Sequence, residues 1–263
     1  MLAIAPRAWG AEGLAEGLAR IEQLAGRQPA EAQRQLEALL HDKRQLGESA
    51  ELQFELVRAL IADAQYRSAD VLAISTQVRD RMQRLGNPRM LASLAHVRAS
   101  ALYQLGRSEE QWLALQEELE QAKLAGEDDL VAMALVNRVR FYMRRNDYAA
   151  AAEAVADARK RVHGAQAGAE ADFSGAQVAK SVGDWEMALR DYQDARAKFQ
   201  TVGDQTGVAD ALAGSAFALC ELGRAAEAIG PLGQADAIYR TVGDQDGQAV
   251  VANELAMAYA RHG

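Results

Sequence analysis

The sequence has few of the residues that interrupt or cross-link a chain: one cysteine, four prolines and 6% aromatics in 263 residues. A disulfide-stapled fold is excluded, because Cys220 has no partner within the chain. No apolar run approaches the ~20 residues that a helix needs to cross a bilayer. The formal charge of −8 argues against nucleic-acid binding. With 49% hydrophobic residues and so little proline, the composition predicts a folded chain that is helical nearly throughout.

The sequence also lacks the motifs that carry common chemistry. It contains no G-x-x-x-x-G-K-[ST] phosphate loop, no G-x-G-x-x-G motif and no H-E-x-x-H motif. The four histidines are scattered, with no cysteine or carboxylate at ligand spacing, so neither a metal nor a cofactor is expected. Cys220 lies in an apolar stretch and is predicted to be a small core residue rather than a nucleophile. We therefore predict that the chain is not an enzyme and has no catalytic residues.

What the chain does have is an internal repeat, which divides it into similar segments. The segment Thr-Val-Gly-Asp-Gln at 201–205 returns at 241–245, which gives a period of 40. A second turn signal recurs at Gly106, Asn146, Gly183, Gly223 and Gly263, with successive spacings of 40, 37, 40 and 40. An earlier signal is assigned to Ala64, at a spacing of 42 from Gly106. These signals divide the chain into thirteen predicted amphipathic helices, from 12–25 to 245–262, or six pairs and one left over.

Small residues recur at fixed positions within this repeat. The clearest example consists of Ala176, Gly183, Trp185, Ala188 and Ala195. A small residue late in one helix, a turn glycine, an aromatic and two alanines a heptad apart resemble the tetratricopeptide repeat family, in its 40-residue variant. The resemblance covers 12–263 and implies one all-α domain, a right-handed α-solenoid of about six helix-turn-helix repeats plus one extra helix. Gln111 and Glu118 depart from the pattern, because the family usually has alanine at both positions.

The resemblance further implies a groove, formed by the first helix of each pair, that binds a protein or peptide. Positions about ten and six residues before the turn point into that groove in the family. Those positions, together with basic residues near the same helix ends, give the candidate residues Arg58, His96, Ser100, Arg140, Arg144, Phe173, Gln177, Lys180, Phe217 and Asn253. Four basic side chains beside two aromatic ones would suit an acidic peptide or a chain-terminal carboxylate. Alternatively, Arg140 and Arg144 pair with acids such as Asp147, and Phe173 belongs to the core.

Three segments carry expectations of their own. The segment 162–170 lacks a clean apolar period and is open to two interpretations, a plain short loop or a flexible join between the two halves of the solenoid. Residues 1–11 resemble the end of a secretory signal peptide, with a non-native or disordered start as the alternative. The last helix, 245–262, is predicted to expose an apolar face that a continuing chain or a second copy would cover.

These features lead to one main hypothesis and two alternatives. The chain resembles the periplasmic sensor regions of bacterial signalling proteins, which precede a transmembrane helix and a diguanylate cyclase or histidine kinase. It would then bind a peptide or protein outside the cytoplasm as one part of a larger protein. The alternatives are a cytoplasmic repeat module of a transcriptional regulator and a stand-alone scaffold for an envelope complex.

Overall fold

The computed structural model describes residues 11–26, 28–39 and 47–262. Thirteen helices and no strand occupy these ranges. They are α1 (Ala11–Ala25), α2 (Pro29–Leu39), α3 (Glu48–Ala64), α4 (Ser68–Leu85), α5 (Pro88–Gln104), α6 (Ser108–Ala125), α7 (Asp128–Arg144), α8 (Tyr148–Arg161), α9 (Ala165–Ser181), α10 (Trp185–Val202), α11 (Gln205–Glu221), α12 (Ala225–Val242) and α13 (Gln245–His262). The all-α class is confirmed, and helix ends agree to within two residues wherever both are described. The proposed signal remnant, up to residue 10, lies outside the described residues.

The helix boundaries follow from local capping. Asp204 accepts a hydrogen bond from the Gly207 backbone N–H at 3.0 Å, and Asp244 accepts one from the Gly247 N–H at 2.9 Å. Three more helices begin at the equivalent caps Asn87, Asp147 and Asp184. Glycines with φ between 68° and 79° follow the helices at Gly86, Gly106, Gly126, Gly183, Gly203, Gly223 and Gly243. Because a Cβ is strained at such angles, these glycines fix where each helix stops.

Two turns are made by a residue other than glycine. Tyr66 and Asn146 both have a φ of 58°. Each of them occupies the same turn position in its repeat as Gly106 does in the repeat between them. The turn between α3 and α4 therefore lies at Tyr66 and not at Ala64, since α3 continues to Ala64. The spacing to Gly106 is then 40, as in the later repeats, rather than the predicted 42. The prediction was wrong because a left-handed tyrosine carries no glycine or asparagine signal.

The chain divides into two compact units, Met1–Gly126 (unit 1) and Glu127–Gly263 (unit 2). Unit 1 buries one apolar cluster among α1, α2 and α3 and another among α3, α4 and α5. Unit 2 has a larger cluster that runs from α9 to α13, with Tyr192 and Leu232 fully buried at its centre. The segment 162–170 lies inside unit 2, where the Asp129 carboxylate accepts from the backbone N–H groups of His163 at 2.7 Å and Gly164 at 3.0 Å. The flexibility of that segment stays a prediction.

Small residues set how closely the helices of unit 2 approach. The signature residues Ala176, Ala188 and Ala195 have no exposed surface. At the start of α11, a Cβ added to Gly207 would lie 2.6 Å from the Phe199 ring, and at the start of α13 a Cβ on Gly247 would lie 2.6 Å from the Tyr239 ring. The glycine that recurs one repeat later thus keeps open the space that an aromatic ring of the preceding helix fills.

Candidate functional site

In unit 1, the predicted residue Arg58 lies on the side of α3 that faces α2 and α4. The Arg58 guanidinium is about half exposed and forms an ion pair with Glu55 on its own helix, at 2.7 Å. It lines a cleft of about 500 Å³ bounded by α2, α3 and α4, whose floor includes the buried Phe54 and Ile61. Counted from the true turn at Tyr66, Arg58 lies eight residues before it, outside the register that defined the groove. Its role in ligand binding stays a prediction.

His96 and Ser100 lie together on α5, beside two acids from other helices. The Nδ1 atom of His96 is 3.3 Å from the Glu118 carboxylate of α6, which is only 4% exposed. Ser100 hydrogen-bonds the Asp63 carboxylate of α3, and burial raises the pKa of Asp63 despite that bond and the nearby His96. This polar cluster explains why Glu118 stands where the family has alanine. Asp63 was missed because only contact between helices, not spacing, brings it to His96.

In unit 2, aromatic side chains connect α9, α10 and α11. The half-buried Phe173 meets Tyr192 edge to face, with ring centroids 5.5 Å apart. The ring centroids of Phe217 and Trp185 are 5.8 Å apart, and the Lys180 ammonium lies 5.1 Å from the centre of the Phe217 ring. Phe173 also packs against the edge of the core, so the alternative interpretation, in which Phe173 belongs to the core, is correct in part. Both phenylalanines keep part of their surface exposed, which an apolar group of a ligand could cover.

The basic residues of unit 2 have acidic neighbours on the first helices. Arg140 of α7 is 3.8 Å from the Glu170 carboxylate of α9. Burial raises the pKa of Glu170, and the Arg140 charge opposes that shift. Arg140 therefore does pair with an acid, as the alternative interpretation held, but the acid is Glu170; Asp147 instead caps α8 by accepting from the Ala150 N–H at 3.1 Å. Arg144 is exposed at the last residue of α7.

The remaining predicted residues, Gln177 and Asn253, lie on α9 and α13. Gln177 is half-buried one turn after Phe173, and Asn253 is exposed. We call the surface formed by Arg140, Glu170, Phe173, Gln177, Lys180, Asp210, Phe217, Asn253 and Glu254 the first-helix surface. All of these residues belong to α7, α9, α11 or α13, the first helices of the pairs in unit 2.

Three acids of this surface were missed by the sequence analysis. Burial raises the pKa of Asp210 and of Glu254, as it does for Glu170. A signal for two of them existed, because Glu170 precedes Gly183 by the same interval by which Asp210 precedes Gly223. That shared position is one helical turn before the one used to define the groove. Glu254 has no such counterpart and could be placed only by the structure.

Three further features of the described residues concern metal binding, the single cysteine and membrane crossing. Its histidines, cysteine and acids form no group that could hold a metal ion. The half-buried Cys220 packs against the core of unit 2, as predicted. Among the described helices, none combines the length and the hydrophobicity that crossing a bilayer requires.

No protein-family model matches the sequence, and a search of curated proteins returned no match. Solved structures do match the fold. A Rap protein complexed with Competence and Sporulation Factor has a TM-score of 0.65 and 15% identity, over 96% of this chain and 76% of that one. The quorum sensor NprR from B. thuringiensis has a TM-score of 0.69 and 14% identity, over 94% and 70%.

A third structure connects the fold to a named repeat. The signal-transduction ATPase with numerous domains from Pyrococcus horikoshii, which carries a tetratricopeptide repeat sensor, has a TM-score of 0.63 and 13% identity. The match covers 95% of this chain and 43% of that one. This chain has the tetratricopeptide-repeat fold. Ala176 and Ala188, two residues on which the resemblance rests, are fully buried where helices pack.

Proposed function

We propose that this chain is a non-catalytic tetratricopeptide-repeat domain that binds a peptide through the first-helix surface of unit 2. The observation that carries the proposal is the combination of partly exposed aromatic rings with charged groups on adjacent first helices. Phe173 and Phe217 offer apolar contact, while Arg140 and Lys180 offer directed polar contact. Exposed rings beside charged groups are what peptide recognition requires, since apolar area gives affinity and polar groups give orientation.

The structural neighbours support the same proposal. One of them is complexed with a factor of competence and sporulation, and another is a quorum sensor. At 14–15% identity they share the fold with this chain, so their ligands do not transfer residue by residue. Support for a binding role comes from the shared architecture together with the exposed aromatic and charged groups here.

For the ligand, we propose that carboxylate groups bind at the α7 end of the surface. Arg144 is exposed there, and the Arg140 guanidinium is 58% exposed even though it faces Glu170 at 3.8 Å. A guanidinium can bind a carboxylate through two parallel hydrogen bonds, which fixes both its position and its orientation.

The biological setting that we propose is the sensory region of a larger bacterial signalling protein, located outside the cytoplasm. A cytoplasmic regulator module and an envelope scaffold are the alternatives. Alkaline phosphatase fused after the last residue of this chain, in the native gene context, would separate the extracytoplasmic settings from the cytoplasmic regulator module, because the phosphatase is active only when it is exported. An inactive fusion, with an active cytoplasmic reporter at the same site, contradicts the extracytoplasmic setting.

We also propose self-association through α13. Val250 and Met257, two helical turns apart on one face of α13, are 53% and 47% exposed, and Tyr259 near the end of the helix is 57% exposed. Light scattering after size exclusion should give a dimer mass that Met257→Glu converts to a monomer mass. A monomer at all concentrations of the unmodified chain contradicts the dimer.

Peptide binding is tested by affinity selection from a random heptapeptide library, followed by isothermal titration with the selected peptides. We expect Phe217→Ala and Arg140→Glu each to weaken binding by about tenfold or more. Leu124→Ala and Arg240→Glu are matched controls, because they remove an exposed apolar side chain of unit 1 and an exposed arginine of α12. The surface assignment is wrong if both test variants bind the selected peptides as the unmodified chain does.

A further inference from the structure

The side chain of Tyr192 is buried without a hydrogen-bond partner for its hydroxyl group. Tyr192 is only 2% exposed, and its ring packs against Phe173. Within the described residues no group donates to or accepts from the hydroxyl, whereas the hydroxyl of Tyr239 on α12, at the repeat position that Phe199 occupies on α10, donates to Asp210 at 2.5 Å. A tyrosine whose ring is this deeply buried normally has a hydrogen-bond partner for its hydroxyl, and the Tyr192 hydroxyl oxygen is not fully enclosed, so a ligand can reach it. The two tyrosines therefore differ in the one feature that a ligand could complete.

The ring of Tyr192 points from α10 toward the first helices. Gly214 of α11 lies against it, since a Cβ there would be 2.5 Å from Cζ, the carbon that carries the hydroxyl. Burial raises the pKa of Tyr192, and the charges of Glu254 and Asp210 raise it further. Asp210 lies one helical turn before Gly214 on the same face of α11, which places its carboxylate beside the Tyr192 ring, and the charge of Glu254 on α13 acts on the hydroxyl as well.

Neither of those two carboxylates forms a close ion pair within the described residues. The Oε2 atom of Glu254 is buried and accepts no hydrogen bond within the described residues. In the same part of the chain, neither Glu254 nor Asp210 has a lysine or arginine nitrogen within 4 Å, whereas Glu170 has Arg140 at 3.8 Å. Lys180 lies close enough to Glu254 to act on its charge, but its ammonium is placed over the Phe217 ring. Asp204 and Asp244 add further negative charge near Asp210, and the more distant charge of Arg140 offsets it only in part, since the pKa of Asp210 is still raised.

We propose that Asp210, Glu254 and the Tyr192 hydroxyl bind a cationic group of the ligand, either an ammonium or a guanidinium. This inference rests on the proposed peptide-binding function and deepens it. Each carboxylate would accept a charge-assisted hydrogen bond, and the hydroxyl would supply a third contact. With arginines at the α7 end and carboxylates between α11 and α13, the first-helix surface would select a peptide that carries both charges.

A peptide can supply the cation from its amino terminus or from a lysine or arginine side chain. Three pools of random heptapeptides separate these sources: free amino termini without lysine or arginine, acetylated peptides with them, and acetylated peptides without them. Each pool is applied to the immobilised chain, and mass spectrometry measures the retained fraction. We expect one or both cationic pools to be retained about tenfold more than the acetylated pool without lysine or arginine.

The variant for this test is the double substitution Asp210→Asn and Glu254→Gln, which removes two charges and keeps the shape. It should abolish the preference for cationic pools, while the control Glu227→Gln with Asp236→Asn on α12 should keep it. Unfolding midpoints establish that both variants are folded. Equal retention of all pools, or a cationic preference that survives in the double variant, overturns the cation site and leaves peptide binding intact. Retention of no pool overturns the proposed function itself.

Discussion

The close contact between Gly214 and Tyr192 gives a prediction whose size follows from the structure. A Cβ at position 214 would lie 2.5 Å from two atoms of the Tyr192 ring, well inside van der Waals distance. The ring is 2% exposed and also packs on Phe173, so it has little room to move. Overpacking of this kind costs about 1–3 kcal/mol. Replacement of glycine by alanine in a helix interior by itself stabilises by about 1 kcal/mol.

The control substitution is Gly233→Ala on α12, where nothing lies within 4 Å of the added Cβ. Both variants gain the same helix propensity, so the difference between their free energies of unfolding isolates the clash. We expect Gly233→Ala to stabilise by about 0.5–1 kcal/mol, and Gly214→Ala to be less stable than it by about 1–3 kcal/mol.

The assay is urea and thermal unfolding, followed by circular dichroism at the helix band. For a domain of this size, 1 kcal/mol corresponds to about 2–4 °C in the unfolding midpoint. If Gly214→Ala is stabilised as much as Gly233→Ala, the Tyr192 ring is not held against α11. The geometry from which we infer the cation site would then be wrong as well.

Three further substitutions test other contacts by the same unfolding assay. Asp172→Asn should cost about 1–3 kcal/mol, because its buried carboxylate accepts from two cations, whereas Asp157→Asn, in an exposed pair, should cost at most about 1 kcal/mol. Tyr66→Gly should stabilise by about 1 kcal/mol, since this 80% exposed residue has a φ of 58°, and Asn146→Gly should gain less because asparagine tolerates that region. Glu254→Gln should raise stability at pH 7 and lose that advantage under acid, because burial raises the pKa of Glu254 in the folded state. The Glu254 charge therefore opposes folding above the raised pKa and has no effect once both the folded and the unfolded state are protonated. Equal stability of Asp172→Asn and Asp157→Asn would contradict the buried ion pairs of Asp172. No gain for Tyr66→Gly would contradict strain at that turn, and a pH-independent effect of Glu254→Gln would contradict burial of the Glu254 carboxylate.

The positions of the helices could be predicted from the sequence because their causes are local. A cap such as Asp204 and a glycine such as Gly203 act within a few residues of the helix end they define. The repeat then multiplied that signal across the chain. The one turn that was misplaced, at Tyr66, is also the one where no local residue type marks the left-handed conformation.

The candidate surface was predictable only as far as the repeat register reached. Phe173 and Phe217 were located by counting back from turn glycines, and Lys180 was added because it lies near the same helix end; the structure brings all three into the aromatic cluster of unit 2. Their acidic neighbours were overlooked because a charge on a helix surface is usually solvated, and nothing in the spacing indicates burial. Burial of a carboxylate depends on which helix packs beside it, and that is a tertiary property.

The sequence by itself determined that this chain is helical, that its helices pair with a 40-residue period, and that alanine and glycine stand where the pairs meet. Those properties depend on residues close in sequence or one repeat apart. Only the tertiary structure decided that Tyr192 of α10 lies against Gly214 of α11, within reach of Asp210 and Glu254. The reason is physical: side chains from three helices share one low-dielectric space, and their charges and hydrogen bonds are set by that shared environment.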